Sequence, residues 1–205
     1  MTSQEIVSAV KHVVYQQFSG EGTGHDYFHV DRVVRTAIQI ARQENADLFL
    51  VELTAWLHDV GDYKLNNGID QSQEQITAIL MPLKVSQETI SRIIDIVSQV
   101  SFSKGKTAES LEAKIVQDAD RLDALGAVGI ARTFAYGGSK QREIYNPHHS
   151  QGTSVQHFYD KLLLLKDRMN TSSGKAIAEE RHRFLEKFLQ QFYKEWNGES
   201  EISSG

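Results

Sequence analysis

Apolar residues recur at three- and four-residue intervals along most of this chain, and that period predicts helices. Ile6, Val10, Val13 and Val14 form one face, which runs out near Gly20. Val30, Val33, Val34, Ala37, Ile38 and Ala41 form a second. Leu48, Val51, Leu53, Ala55, Trp56 and Leu57 belong to a third, more thoroughly apolar segment, which is the pattern of a central helix. Ser86, followed by Glu88 and Thr89, starts another whose stripe is Ile90, Ile93, Ile94 and Val97. Residues 113–131 read as two helical pieces or one bent helix, and 155–169 and 175–196 complete the series.

Strand signals are nearly absent. No stretch sustains a period of two, and the pair Asn67-Gly68 precedes a polar helical segment, so it reads as a turn between helices. No internal repeat or linker interrupts the pattern. The expectation is an all-α fold, one helical domain over residues 1–197, with a polar, Gly/Ser-rich and disordered tail at 198–205. Residues 137–152 resist the helical reading: GGSKQREIYNPHHSQG is a long irregular connection carrying Lys140, Arg142, His148 and His149. Long loops in compact domains are usually functional or disordered. These basic groups suit an anionic substrate, and a solvated surface loop accounts for them equally well.

Composition narrows the classes. With 205 residues the chain can bury a substantial core, and 40% hydrophobic and 24% charged residues are ordinary for a soluble globular protein. A net charge of −5 argues against a broad nucleic-acid surface. The absence of cysteine excludes disulfides and thiolate metal sites, so any metal must be held by nitrogen and oxygen. The opening MTSQEIVSAV lacks the basic start and apolar run of a signal peptide. The apolar run at 162–165 is far shorter than the roughly 20 residues that cross a bilayer. A cytoplasmic protein that does not engage membranes is expected.

Three segments put polar chemistry on apolar faces. In LHDVGD, residues 57–62, an imidazole and carboxylates follow directly on the most apolar helix. Burying such groups costs free energy unless they are paired or bind a metal. A plain helix end also accommodates this stretch, with the histidine favourable to the dipole and Gly61 as the stop. Upstream, GHDYFHVDRVV places His25, His29, Arg32 and Val33 at helical spacing on one face. Downstream, IVQDADRLDALG interrupts an apolar segment with Asp118, Asp120 and Asp123. Three separate helices thus each offer imidazole or carboxylate from a mainly apolar face, as helical folds do when they build a metal centre.

The ordered set of His29, the doublet His58-Asp59 in AWLHDVGD, and Asp120 in DADRLDALG resembles the HD-domain superfamily of metal-dependent phosphohydrolases, most closely its small bacterial stand-alone members. The resemblance covers roughly residues 20–135 and implies a helical bundle with a divalent metal on His29, His58, Asp59 and Asp120. His29 is preferred to His25 because Val30, Val33 and Ala37 anchor its helix. Asp120 is preferred to Asp118 because Ala-Asp-Arg-Leu at 119–122 matches the family segment. Asp118 is then expected to accept a hydrogen bond from a ligand imidazole. Two-metal relatives carry further histidines between the doublet and the last aspartate; none lies between Asp59 and Asp120 here, so one metal is expected. Mixed nitrogen and oxygen donors suit Mn²⁺, with Co²⁺, Ni²⁺, Fe²⁺ or Mg²⁺ as alternatives.

The resemblance also implies a role for Asp62, as general base or as the group that orients the attacking water. Arg32, Lys64, Lys140, Arg142 and Arg121 are candidates to neutralise phosphate charge, and His25, His148 and His149 to touch substrate. The substrate implied is a nucleotide: a nucleoside or deoxynucleoside triphosphate cleaved to monophosphate and pyrophosphate, or a monophosphate in a 5′-nucleotidase. A nucleotide sensor without turnover and a di-iron oxygenase are the remaining alternatives, the second disfavoured by the histidine count. His12 and His182 sit in polar settings and are expected to be exposed, and His157 is expected on a helix surface or in the core. Phe184, Leu185, Phe188, Leu189 and Phe192 form a stripe expected to be core or the seam of a homodimer.

Overall fold

The computed structural model describes residues 1–20, 26–62, 68–100 and 108–199. His25, Lys64 and Asn67 of the expected turn lie outside them, as do residues 200–205 of the expected tail. Among the described residues the secondary structure is helical throughout, with no strand. Helix α1, Ser3–Phe18, begins at a reciprocal cap in which Thr2 accepts from the Glu5 N–H and Glu5 accepts from the Thr2 N–H. Its buried face is Ile6, Val10, Val14 and Phe18. Helix α2, Tyr27–Glu44, is capped by Asp26 and ends where Asn45 turns left-handed. Helix α3, Leu48–Leu57, buries Leu50, Val51 and every residue from Leu53 to Leu57, and it touches α1, α2, α5 and α6. It is the central helix.

Helices α4, Ser72–Leu80, and α5, Gln87–Val100, pack on each other, and α5 buries Ile90, Ile93, Ile96, Val97 and Val100 against α3 and α6. Burying each such side chain contributes on the order of 2 kcal/mol relative to leaving it in water. Helix α6, Leu111–Asp123, lies chiefly along α2 and α5. The segment 113–131 is thus two helices: α6 stops, and Gly126, with φ +69°, opens α7, Gly126–Ser139. The long helix α9, Ser172–Trp196, closes over α6, α7 and α2. No described helix is long and apolar enough to cross a membrane.

Two expectations need correcting. Residues 155–169 form one short helix, α8, Gln156–Asp160, and then two 3₁₀ turns, Leu162–Leu164 and Lys166–Arg168. Leu162 and Leu165 go into the core at the three-residue spacing of the tighter turn. His182 is buried, not exposed, because it shares the inward stripe of α9 with Ala178, Leu185 and Leu189. Of the aromatic stripe, Phe184 is exposed while Phe188 and Phe192 pack partly buried in a ring cluster with Phe158, Tyr145 and Tyr193.

Candidate metal centre

His29 sits in the first turn of α2, where the Asp26 cap accepts its backbone N–H at 2.7 Å. The first turn of a helix is well fixed when capped, and this one faces α6. His58 ends α3, and the backbone then turns sharply: the Val60 N–H donates to Leu57, the Asp62 N–H donates to Asp59, and Gly61 takes φ +71°. That reversal keeps His58, Asp59 and Asp62 together at the rim of the core, each no more than 9% exposed. Asp120 comes from the last two turns of α6.

These side chains converge. Asp59 Oδ2 lies 3.5 Å from the Nε2 atoms of both His29 and His58, and Asp120 Oδ1 lies 3.5 Å from His29 Nε2 and 4.0 Å from His58 Nε2. The ligand atoms of His29, His58 and Asp120 all fall within 4.8 Å of one another. Two donors each about 2.1 Å from one ion lie roughly 3–4 Å apart, so the spacing is that of a metal site. These three groups could hold a divalent cation.

The hydrogen bonds on the far side of each ring agree with that use. His58 Nδ1 meets the Ala55 carbonyl at 2.8 Å, which fixes the proton on Nδ1. Its Nε2 is buried without a hydrogen-bond partner, an arrangement that is costly unless something else takes the lone pair. His29 Nδ1 meets Asp123 Oδ2 at 2.7 Å, which likewise directs Nε2 to the carboxylates. Burial pulls the His29 pKa down, but the Asp123 hydrogen bond and the Asp59 and Asp120 carboxylates outweigh it and raise it to about 9. Such a pull on a proton marks a site with an excess of negative charge, which a cation would relieve.

Asp123 is the residue that the sequence reading passed over. Besides His29, it accepts from Arg32 Nε at 2.6 Å and Nη2 at 3.0 Å, and from Arg132 Nη1 at 2.7 Å. Although burial pushes its pKa up, His29, Arg32 and Arg132 hold it well below the usual carboxylate range. Asp118, expected in this place, is elsewhere: fully buried, it accepts from the backbone and side chain of both Asn170 and Thr171, ahead of α9. At about 100° per residue, Asp123 lies some 60° around α6 from Asp120, whereas Asp118 lies about 160° away. That angle was available in the sequence. Arg132, on α7, gave no comparable signal.

The remaining candidates are scattered. Arg32 spends Nε and Nη2 on Asp123. Arg121 donates to the Arg168 carbonyl. Lys140 and Arg142 follow α7 and lie over the Tyr136 ring, 5.7 and 5.4 Å from its centroid. His148 and His149 are exposed, their backbone N–H groups donating to Asn146 Oδ1. His157 is partly buried, and burial pushes its pKa down.

Comparison with known proteins adds the relatives. The HD domain family model matches residues 26–125. The protein YpgQ of Bacillus subtilis, uncharacterised by its description, is 44% identical over 182 residues, which is 87% of each chain. A crystal structure of a Bacillus thuringiensis HD-superfamily hydrolase superposes with a TM-score of 0.83 at 43% identity, covering 96% of this chain and 99% of that one. The structure of Bacillus subtilis YpgQ in complex with ADP superposes with a TM-score of 0.81 at 37% identity, covering 95% of this chain and all of the other.

Proposed function

This chain belongs to the HD-domain family of phosphohydrolases, and from that membership we propose that it hydrolyses nucleotides at a single metal centre held by His29, His58, Asp59 and Asp120. The substrate we assign is a nucleoside or deoxynucleoside triphosphate, and the products are the monophosphate and pyrophosphate. The observation that carries the reading is the lone pair of His58 Nε2, buried without a hydrogen bond and facing the Asp59 and Asp120 carboxylates. The ADP bound to YpgQ supports a nucleotide as the ligand. Two neutral imidazoles and two carboxylates suit Mn²⁺, with Co²⁺, Ni²⁺, Fe²⁺ or Mg²⁺ able to replace it.

When bound, the ion supplies Lewis-acid polarisation of a phosphoryl oxygen and a water of lowered pKa. The protein does the rest. His29 and His58 keep Nε2 aimed inward through their Nδ1 hydrogen bonds. Asp62, three residues past Asp59, takes the proton as the water oxygen bonds to the α-phosphorus. The bridging P–O bond breaks, and pyrophosphate leaves with its electron pair. Lys140 and Arg142, with His148 and His149, meet the phosphate tail.

A panel of nucleoside mono-, di- and triphosphates assayed with each metal, products identified by chromatography, tests this. Pyrophosphate from triphosphates is the expected result. Orthophosphate released from monophosphates alone would make the protein a 5′-nucleotidase, and binding without release of either would make it a sensor.

A further inference from the structure

Asp123 occupies an unfavourable place. It is the last residue of α6, where the helix dipole presents negative charge and disfavours a carboxylate. Its side chain is nonetheless 5% exposed, and it is surrounded by donors from two other helices. Oδ2 accepts from His29 Nδ1 and Arg132 Nη1, both at 2.7 Å, while Oδ1 takes the short bond from Arg32 Nε. Arg132 also reaches the Asp123 carbonyl at 3.2 Å, and Arg181 caps the neighbouring Leu122 carbonyl at 2.6 Å. A carboxylate accepts from Nδ1 of an imidazole only when that nitrogen carries the proton, so in the neutral ring that a cation requires the lone pair is on Nε2, on the side of Asp59 and Asp120. His58 achieves the same with a backbone carbonyl.

We infer that Asp123 is a positioning residue for the metal centre, which locks the tautomer and ring orientation of His29 and is itself clamped by Arg32 and by Arg132 of α7. The inference rests on the metal reading above. It assigns to α7, through Arg132, a part in metal affinity although α7 supplies no ligand. The two guanidiniums also offset the charge that α6 would otherwise carry at its C-terminal end.

The test measures Mn²⁺ affinity directly, from the paramagnetic signal of the free ion, alongside thermal unfolding. D123N should bind Mn²⁺ about 10- to 100-fold more weakly, the range seen when such outer partners of ligand histidines are removed. D118N is the control: it removes an equally buried carboxylate from the same helix, so it should lower the melting temperature and leave Mn²⁺ affinity near that of the wild type. Wild-type affinity in D123N, with binding abolished in H58A, overturns the inference and leaves the metal reading standing. Equal weakening in D118N and D123N also overturns it, because Asp123 would then matter only to the fold. If D123N does not fold, R132Q decides: severalfold weaker binding that R132K restores supports the inference, and unaltered binding overturns it. A wild-type protein that binds no divalent metal removes the reading on which both rest.

Discussion

The backbone of Gly61 lies directly against that of Ser72: Gly61 accepts the Gln71 N–H at 2.9 Å, and a Cβ on Gly61 would meet Ser72 N at 2.6 Å. No side chain fits there, and the φ of +71° is strained for any residue that has one. G61A should therefore lose about 2 kcal/mol or more, or roughly 4–8 °C in melting temperature for a chain of this size. Because Gly61 separates Asp59 from Asp62, Mn²⁺ binding should fall as well. Calorimetry and metal titration check both; unchanged affinity in a destabilised G61A would show that the turn does not set the site.

Metal loading and proton transfer fall to different residues. H58A and D59A should lose the metal and with it all turnover. D62N should keep Mn²⁺ at the wild-type level yet lose about 10²- to 10⁴-fold in kcat, as removal of a general base does. Metal analysis of the three purified variants decides, and a metal-free D62N would make Asp62 a ligand.

Lys140 and Arg142 rest on Tyr136, a contact worth about 0.5–1 kcal/mol at an exposed site. A charged hydrogen bond to phosphate is worth about 1.5–3 kcal/mol, so the exchange is favourable. Replacing both by alanine should lower kcat/KM for triphosphates about 10- to 100-fold while leaving the fold intact. Kinetics identical to the wild type would confine this loop to the surface and take away the reason to prefer a triphosphate.

Glu44, near the end of α2, accepts the Ser173 N–H at 2.8 Å in the first turn of α9, and that bond holds its pKa below the ordinary range. A depressed folded pKa means stability that is present above the unfolded pKa and lost as pH falls through the folded one. E44Q should thus cost a few tenths of a kcal/mol at neutral pH, solvent screening included, and the gap from the wild type should narrow as pH falls through the carboxylate range. Denaturant titrations across pH 3–7 measure it.

Much of this was legible in the chain. The stripes of α2 and α5 announced themselves because one face of each is buried, and α3 because it is apolar nearly all round. His29, His58, Asp59 and Asp120 were conspicuous because ionisable groups stood on apolar faces. What escaped was geometry within a helix and contact between helices. Four consecutive leucines at 162–165 cover every direction, so no period distinguishes an α-helix from the 3₁₀ turn that forms. His182 has charged neighbours in sequence, yet its place three residues before Leu185 and four after Ala178 puts it inside. Arg132 meets Asp123 only because α7 folds back along the end of α6, and no local pattern encodes that.

The family model ends at residue 125, but the buried carboxylate of Asp118 is held by Asn170 and Thr171, and the last carbonyls of α6 by Arg132 and Arg181. The helix that brings in Asp120 is therefore held near its middle and at its C-terminal end by sequence beyond the matched region. A fragment cut at 125 would retain every proposed ligand, and Asp123 with them, but lose Arg132 and the other anchors of α6. Variation in α7 can accordingly retune the centre through Arg132 and Asp123, so that relatives with identical ligands need not share one affinity for the ion.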